Sequence, residues 1–463
     1  MNFEPHDYQK YIINRIVSQK RLALLLDMGT GKTACALTAI NWLENWTMEF
    51  GKALVIAPKK VAESSWPDEI SKWDQLKGLR VSKILGSAEE RERALNSEAD
   101  VYLMNRENCE WLVDQFVKAS KPNEIGKPWP FGMVVFDESS SFKNRATRRW
   151  KAAKAMATAT PRVLLLTGTP APNGLEDLWA QIYLLDGGER LGRCITAYRQ
   201  MYFHPGAHNG HVVFEYLPNK GSDKEIYSAI KDIAISLKAG DVLTMPERID
   251  EKREVILGDE AMKKLKRMEK DYLLEMEGKT ITAASAGVLE NKLIQLADGA
   301  IYGDDGSVNE IHEAKMDELQ KIVEENDGKN VLVFYNYRFD EARIMKALKD
   351  LKPKKLETAK DVTDWNKGKI KVLLANPSSS AFGLNLQEGG HTIVWLTPIW
   401  NLELYQQANA RLYRQGQKQP VIIYSIIAKG TEDERVMEAL EGKAATQDDL
   451  IKAVKARIKE ART

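Results

Sequence analysis

Long hydrophobic runs are missing from this 463-residue chain. No stretch approaches the ~20 consecutive apolar residues that a membrane span needs, and the longest near the front is Leu22 to Leu26. The N-terminus, Met1 to Gln9, carries acids, Pro5 and His6 where a secretory leader would be basic and then apolar. Cysteine is scarce. Cys35, Cys109 and Cys194 are odd in number and widely spaced, which excludes a disulfide framework and paired metal-ligand spacing and fits a reducing, cytoplasmic compartment. Excess charge of either sign is also absent: 67 Lys and Arg against 66 Asp and Glu leave +1. A strongly basic nucleic-acid coat and an acidic tail are thereby excluded, so a polyanion would have to be met by a local basic groove. Internal repeats, low-complexity tracts and nuclease-like HxD, PD-x-K or zinc clusters are not seen.

What is present is globular. Hydrophobic residues make up 43% and charged residues 29%, and the length suits two or three domains, each with its own core. Through residue 187, short apolar runs at Leu22–Leu26, Ala53–Ala57, Val101–Met104, Met133–Phe136 and Val163–Leu166 alternate with longer mixed-polarity stretches. That rhythm predicts a parallel sheet with crossover helices, an α/β lobe over residues 1–187. Residues 188–248 read as an insertion or linker: a Gly- and His-rich loop to Gly221, a helix over Ser222–Leu237, and a break at Met245-Pro246. A second α/β lobe is expected over residues 249–463. It has a helical lead-in across 259–298 interrupted by Gly278 and Gly287, then strands at Asn330–Tyr335, Lys371–Ala375, Thr392–Leu396 and Val421–Ile426. Gly442 to Thr463 reads as an exposed mixed-charge helix.

Three strand ends carry chemistry. Residues 22–33 read LALLLDMGTGKT, an apolar strand, a Gly-rich turn and then a helix over Ala34–Leu43. Gly29 and Gly31 let the backbone between Met28 and Thr30 curl so that N–H groups face phosphate, aided by the helix N-terminus. Lys32 would reach the β- and γ-phosphates and Thr33 would hold magnesium. Leu26 stands where the strict G-x-x-x-x-G-K-[ST] pattern has Gly. Asp137-Glu138 directly follows the strand Met133–Phe136. Alone, such a dipeptide is an ordinary solvated turn. At the carboxyl end of a parallel strand, Asp137 suits a magnesium shell and Glu138 suits orienting and deprotonating an attacking water. The third strand ends in Thr167-Gly168-Thr169-Pro170, bringing hydroxyls to the same edge.

In the second lobe, residues 402–417 read LELYQQANARLYRQGQ. Taken as one helix, Gln407, Arg411 and Arg414 share a stripe at i, i+4, i+7, beside a buried stripe of Leu404, Ala408 and Leu412. Arginine suits developing phosphoryl charge, and Arg411 and Arg414 are expected to complete the phosphate site on lobe closure. Two basic clusters stand out. Lys143 to Lys154 holds six positive residues and no acid, with Trp150 inside it, and Lys352 to Lys371 holds seven positive and three negative residues. Either could line a groove, although a solvated face is the plainer account of the second. Cys194, His204, His208 and His211 mimic a zinc set, but their spacing is loose, and a polar surface loop accounts for them better.

Taken in order, these segments resemble a superfamily 2 helicase of the SWI/SNF type, in a compact form similar to those encoded by bacteriophages, over nearly the whole chain. Tyr8-Gln9 resembles the adenine-reading motif, DMGTGKT motif I, and Ala57-Pro58-Lys59-Lys60 with Trp66 and Trp73 motif Ia. Asp137 to Ser140 resembles motif II and Leu166 to Asn173 motif III. Val331 to Tyr337 resembles motif IV, Ser378 to Leu386 motif V, and Gln407 to Gln417 motif VI, followed by GTEDE. Ser140 replaces the usual motif II His, and Tyr413 the His often found in motif VI.

The resemblance implies two RecA-like P-loop lobes with ATP and Mg2+ between them and nucleic acid across both. Gln9 would then contact adenine, and Thr167, Gly168 and Thr169 would couple hydrolysis to movement. Lys59, Asn105, Tyr335, Gly383 and Asn385 match backbone-binding positions, and Lys143 joins them from the basic cluster. The expected activity is an ATP-dependent DNA translocase, duplex favoured over single strands. Alternatives are a strand-separating DNA or RNA helicase, or a motor subunit serving a nuclease or a replication or repair protein. A nucleosome-specific role has no support, since long terminal extensions are absent.

Overall fold

The computed structural model describes the chain apart from residues 119–120, 126–127, 207, 210–211, 214–215, 276–282, 304, 381–384 and 444–463. Side chains are in addition left undescribed at 117–118, 121–125, 208–209, 212, 269–275, 283–287, 289–290 and 379–380. Two compact units emerge. One comprises Met1–Leu243, the other Thr244–Gly442. Among the described residues, no helix is long and apolar enough to cross a membrane.

The first unit is built on seven strands: β1 (Arg21–Leu26), β2 (Ala53–Ala57), β3 (Val81–Ile84), β4 (Val101–Asn105), β5 (Met133–Asp137), β6 (Arg162–Thr167) and β7 (Ala234–Leu237). Their order is β7-β1-β6-β5-β2-β4-β3, and every neighbouring pair is parallel. Strands β2, β4, β5 and β6 are buried along their whole length, the condition of a sheet covered by helices on both faces. The helices that matter to the site are α1 (Asp7–Ser18), α2 (Lys32–Asn45), α3 (Arg148–Ala159) and α4 (Asp177–Asp186).

The second unit repeats the plan with β8 (Arg248–Val255), β9 (Val331–Phe334), β10 (Lys354–Lys355), β11 (Val372–Ala375), β12 (Thr392–Trp395) and β13 (Val421–Ala428). The order is β8-β13-β12-β9-β11-β10, again parallel throughout. A charged cluster lies within its core. Lys315, Asp298 and Asp433 have no solvent exposure, and the Lys315 ammonium meets Asp298 at 2.5 Å and Asp433 at 2.6 Å. Asp298 also accepts a hydrogen bond from the Thr397 hydroxyl at 2.6 Å, and Asp433 accepts one from the Ala428 N–H at 2.9 Å. Charges taken out of water this completely persist only when paired, and here the pairing is uneven, since Asp433 Oδ1 is buried without a hydrogen-bond partner among the described residues.

All nine expected strands form. Four differences have physical causes. The expected helix over Ser222–Leu237 stops at Ile230, and Ala234–Leu237 becomes β7, paired with β1. The run Ala-Ile-Ser-Leu is too short to show its period, and burial at the sheet edge decides it. The stretch read as insertion and linker, 188–248, therefore contains a strand of the first sheet. Gly287 does not interrupt its helix, which runs Ala283–Asp298, because one glycine costs only about 1 kcal/mol. Gly278 and the C-terminal stretch from residue 444 lie outside the described residues. The arginine segment is helical only as α5 (Leu402–Asn409). Beyond it the bonds tighten, with Arg411 N–H donating to Ala408 O and Leu412 N–H to Asn409 O, and Gly416 takes a left-handed φ of 92°. Arg411 and Arg414 thus sit in turns and not on one helical stripe. Ala408 and Leu412 are buried and Leu404 packs against the same core, as expected.

Candidate nucleotide site

Strands β1, β5 and β6 are neighbours, and parallel pairing brings their carboxyl ends to one edge. In register, Leu25 faces Thr167, and Asp137 faces Leu166. The loop after β1 is tied at its base. The Asp27 N–H donates to Leu237 O at 3.0 Å, and its carboxylate accepts from the Ala239 N–H at 3.0 Å. The Thr30 hydroxyl donates to Asp27 O at 2.7 Å. Gly29 and Gly31 take φ of 79° and 80°, values at which a side chain is strained. The Lys32 ammonium rests on Leu26 O at 2.7 Å and Asp27 O at 3.2 Å; Lys32 itself opens α2, and Thr33 follows it.

Helix α1 braces this loop from the side. Tyr8 Oη donates to Thr30 O at 3.1 Å, and the Gln9 amide donates to the same carbonyl at 3.3 Å. The Gln9 carbonyl oxygen accepts from the His6 N–H at 2.9 Å. A Cβ on Gly31 would come within 2.5 Å of the Gln9 amide nitrogen, so a side chain there would push the Gln9 amide off the loop, and the left-handed φ favours glycine independently. Gln9, expected to contact adenine, is placed against the phosphate loop itself, with Met28 two residues before Thr30.

Asp137 is buried. Its Oδ2 accepts from Trp66 Nε1 at 2.9 Å and its Oδ1 from the Glu138 N–H at 3.0 Å. Burial pushes its pKa up, while the Trp66 bond, the Lys32 charge and the Glu138 amide pull it down. The Lys32 contribution brings the phosphate-loop cation and the acid into one electrostatic site. Glu138 takes φ 50°, a left-handed conformation that costs a non-glycine residue about 1 kcal/mol. Such strain marks a position held by its surroundings. Gly168 closes the group: a Cβ there would lie 3.5 Å from Leu26 O and 3.7 Å from Lys32 Nζ. Thr167 and Thr169 are buried, the Thr169 N–H donates to Thr167 Oγ1 at 3.0 Å, and Thr169 Oγ1 is buried without a partner among the described residues.

Sequence reasoning missed the element that joins the two later loops. Gln181 on α4 is buried, accepting from Ser139 Oγ at 2.9 Å and donating to Pro170 O at 2.6 Å and Asp177 O at 3.0 Å. It links the loop after β5, where Ser140 stands in place of histidine, to the loop after β6. The only signal was a lone amide in the apolar helix DLWAQIYLLD. Changing Gln181 to Leu leaves Ser139 Oγ and Pro170 O without this partner, at a cost of about 1–3 kcal/mol. The expected result is a lower kcat for ATP hydrolysis with KM for ATP little changed, and non-additivity with Ser139→Ala in a double-mutant cycle. Full kcat in Gln181→Leu would show that the bridge is structural only.

The nucleic-acid candidates are scattered in character. Lys59 is exposed and pairs with Glu63 at 3.7 Å. Asn105 is buried, donating to Glu107 at 2.9 Å and accepting from Asn108 at 2.5 Å, so its amide is consumed in a turn. Lys143 pairs with Asp177 at 3.6 Å. Tyr335 is buried and donates to Glu341 at 2.8 Å. Asn385 is exposed, its carbonyl accepting from Asn366 at 2.9 Å. Gly383 lies outside the described residues, as does His211 of the zinc-like set, while the His204 ring contacts Asn219 at 2.9 Å. In the second unit, Gln407 is buried and its amide donates to Glu403 at 3.3 Å. Arg411 Nε donates to Gln407 O at 3.0 Å, and burial lowers the Arg414 pKa.

A phosphate loop, an acid pair and a hydroxyl loop on adjacent parallel strands define a P-loop nucleoside triphosphatase lobe. Residues 8–202 match the family model for the SNF2-related domain. Protein p41 of Acyrthosiphon pisum secondary endosymbiont phage 1 is 40% identical over 98% of this chain and 99% of its own length. The SWI/SNF-related matrix-associated actin-dependent regulator of chromatin subfamily A-like protein 1 of Drosophila melanogaster is 24% identical over 92% of this chain. The ATP-dependent helicase/translocase YwqA of Bacillus subtilis is 22% identical over 96%. The chain spans 53% and 48% of the lengths of these last two. Through residues 8–202 the chain belongs to the SNF2-related ATPases of helicase superfamily 2, and its second unit repeats the parallel-sheet plan of the first.

Proposed function

We propose that this chain is a motor that hydrolyses ATP to move along duplex DNA without obligatory strand separation. The observation that carries this reading is the convergence of Lys32, Asp137, Glu138 and Thr167 to Thr169 on one sheet edge. The names of the relatives, a regulator of chromatin and a helicase/translocase, favour DNA and movement.

The residues fit magnesium and ATP. Asp137 is a buried carboxylate whose ionised form a nearby cation favours, and Thr33 follows Lys32 in the first turn of α2. Bound ATP would supply the phosphoryl group. Lys32 would exchange its two loop carbonyls for phosphate oxygens. Glu138, held by its strained backbone, would orient and deprotonate the attacking water. Arg411 and Arg414 are proposed as the cations that stabilise phosphoryl charge, and full turnover in a folded Arg411→Ala protein would sink that assignment.

The test is steady-state ATP hydrolysis alone and with duplex DNA, single-stranded DNA or RNA, beside triplex displacement and forked-duplex unwinding. Duplex stimulation with triplex displacement and no unwinding is expected. Unwinding of the fork would establish a strand-separating helicase, and stimulation by RNA alone would overturn the DNA reading.

A further inference from the structure

A cavity of about 790 Å³ opens on the outer face of the first unit, along α3 and α4. Arg145, Lys151, Lys154 and Arg193 line it together with Trp179 and Tyr183, and no Asp or Glu does. These four basic side chains are exposed and enter no ion pair among the described residues. Their neighbours do: Arg148 pairs with Glu110, Arg149 with Glu107, Arg190 with Asp186 and Asp232, and Arg199 with Glu176. In a chain of balanced charge, four cations around one concavity without an ion pair among the described residues make a local positive field, with Asp186 and Glu189 lining only the adjoining concavity that shares Lys154 and Tyr183. Lys154 is held in place without being neutralised, its ammonium lying 4.9 Å above the Tyr183 ring.

We infer that this cavity is a second nucleic-acid site, one that takes the phosphodiester backbone of a single strand. The reading rests on the chain being a DNA motor and adds a surface separate from the nucleotide edge. Three features select the occupant. The lining is cationic, as a polyanion requires. Lys151 and Lys154 are three apart on α3, so their Cβ atoms stand about 5–6 Å apart, close to the separation of successive phosphates on one strand. The volume, about 790 Å³, is that of a site for a single small ligand, the scale of a nucleotide unit and not of a duplex. A displaced or trailing strand held here would keep the motor on DNA between steps.

The chain carries its own reporter. Cys194 lies on the lining and is exposed, whereas Cys35 and Cys109 are buried. A maleimide fluorophore therefore labels the cavity selectively in the full protein. Short oligothymidylate is expected to change the fluorescence at Cys194 and to bind with a salt dependence that Lys151→Glu/Lys154→Glu weakens. Two lost contacts reduce the slope of log K against log salt by about 1.4, and affinity by about tenfold or more. Lys151→Arg/Lys154→Arg should retain both. Unstimulated ATP hydrolysis and melting temperature should be unchanged in either variant, since neither residue lies at the nucleotide edge.

An unaltered slope and affinity in the Glu variant would overturn the site. So would equal binding by polyglutamate of matching length, or an equal loss of affinity for blunt duplex. If DNA fails to stimulate the wild-type ATPase, the motor reading falls, while the Cys194 signal still reports on the cavity independently.

Discussion

Replacing Lys32 with Ala is expected to lower ATP hydrolysis by at least about 10²–10³-fold, the usual effect of deleting one preorganised stabiliser of transition-state charge. Lys32 is placed for this by its neighbours. Its ammonium is gathered by Leu26 O and Asp27 O, sits beside Gly168 and acts on Asp137 through space. The variant should also bind ATP more weakly, because the same cation meets the ground-state phosphates. Glu138→Gln separates the two contributions. It keeps the shape and the polar contacts but removes the base, so turnover should fall by about 10²–10⁴-fold while nucleotide binding persists. Binding measured by a fluorescent ATP analogue, beside phosphate release, reads both. A Glu138→Gln protein that binds ATP and still turns over at the wild-type rate would remove Glu138 from the mechanism.

The second large effect concerns the folded state. Lys315→Met should destabilise the protein by about 3–5 kcal/mol, because it strips the cation from two carboxylates that have no access to water. Burial would by itself lower the Lys315 pKa, but Asp298 and Asp433 overcome that and raise it. Burial is also the main reason that the Asp298 pKa rises from 3.8 to about 6, with Lys315 opposing and Asp433 adding to the rise. The folded state therefore holds the Asp298 proton more tightly than the unfolded chain does. Its contribution is most favourable at low pH and is lost as pH climbs from 3.8 through about 6. Without Lys315 that window moves upward. The penalty in the variant should thus shrink on acidification from pH 8 to pH 5, as followed by urea denaturation. A penalty independent of pH would mean that lost packing, and not unpaired charge, is the cause.

The candidate nucleotide edge was legible because its parts are contiguous in sequence. A strand, a Gly-rich turn and a helix stand together around Lys32, and the strands before Asp137 and Thr167 are unbroken apolar runs of a fully covered parallel sheet. What stayed hidden depends on distant partners. Trp66 was visible as an aromatic near the second strand, but nothing local says that its indole reaches Asp137. Gln181 is an amide whose meaning lies in Ser139 and Pro170. β7 is four residues long, and only its pairing with β1 makes it a strand. The arginine segment failed for the opposite reason: a good helical period continued past the point where the backbone tightens, and periodicity carries no information about where a turn begins.

The place of β7 also orders how the protein is made. It is the last strand of its sheet to leave the ribosome, yet it pairs along β1, Ala23 against Ala234 through Leu26 against Leu237. The loop that follows β1 is anchored to the same late segment through Asp27. A nascent chain that has already emitted Lys32 therefore still has one side of that strand open, with unpaired N–H and C=O groups on an apolar strand ready to pair wrongly. The nucleotide loop reaches its final shape only once residue 239 has emerged, by a closure of large sequence separation that is slow compared with local helix formation. Synthesis and competence to bind nucleotide are thus separated in time, and fragments ending before β7 should be the aggregation-prone products of interrupted translation.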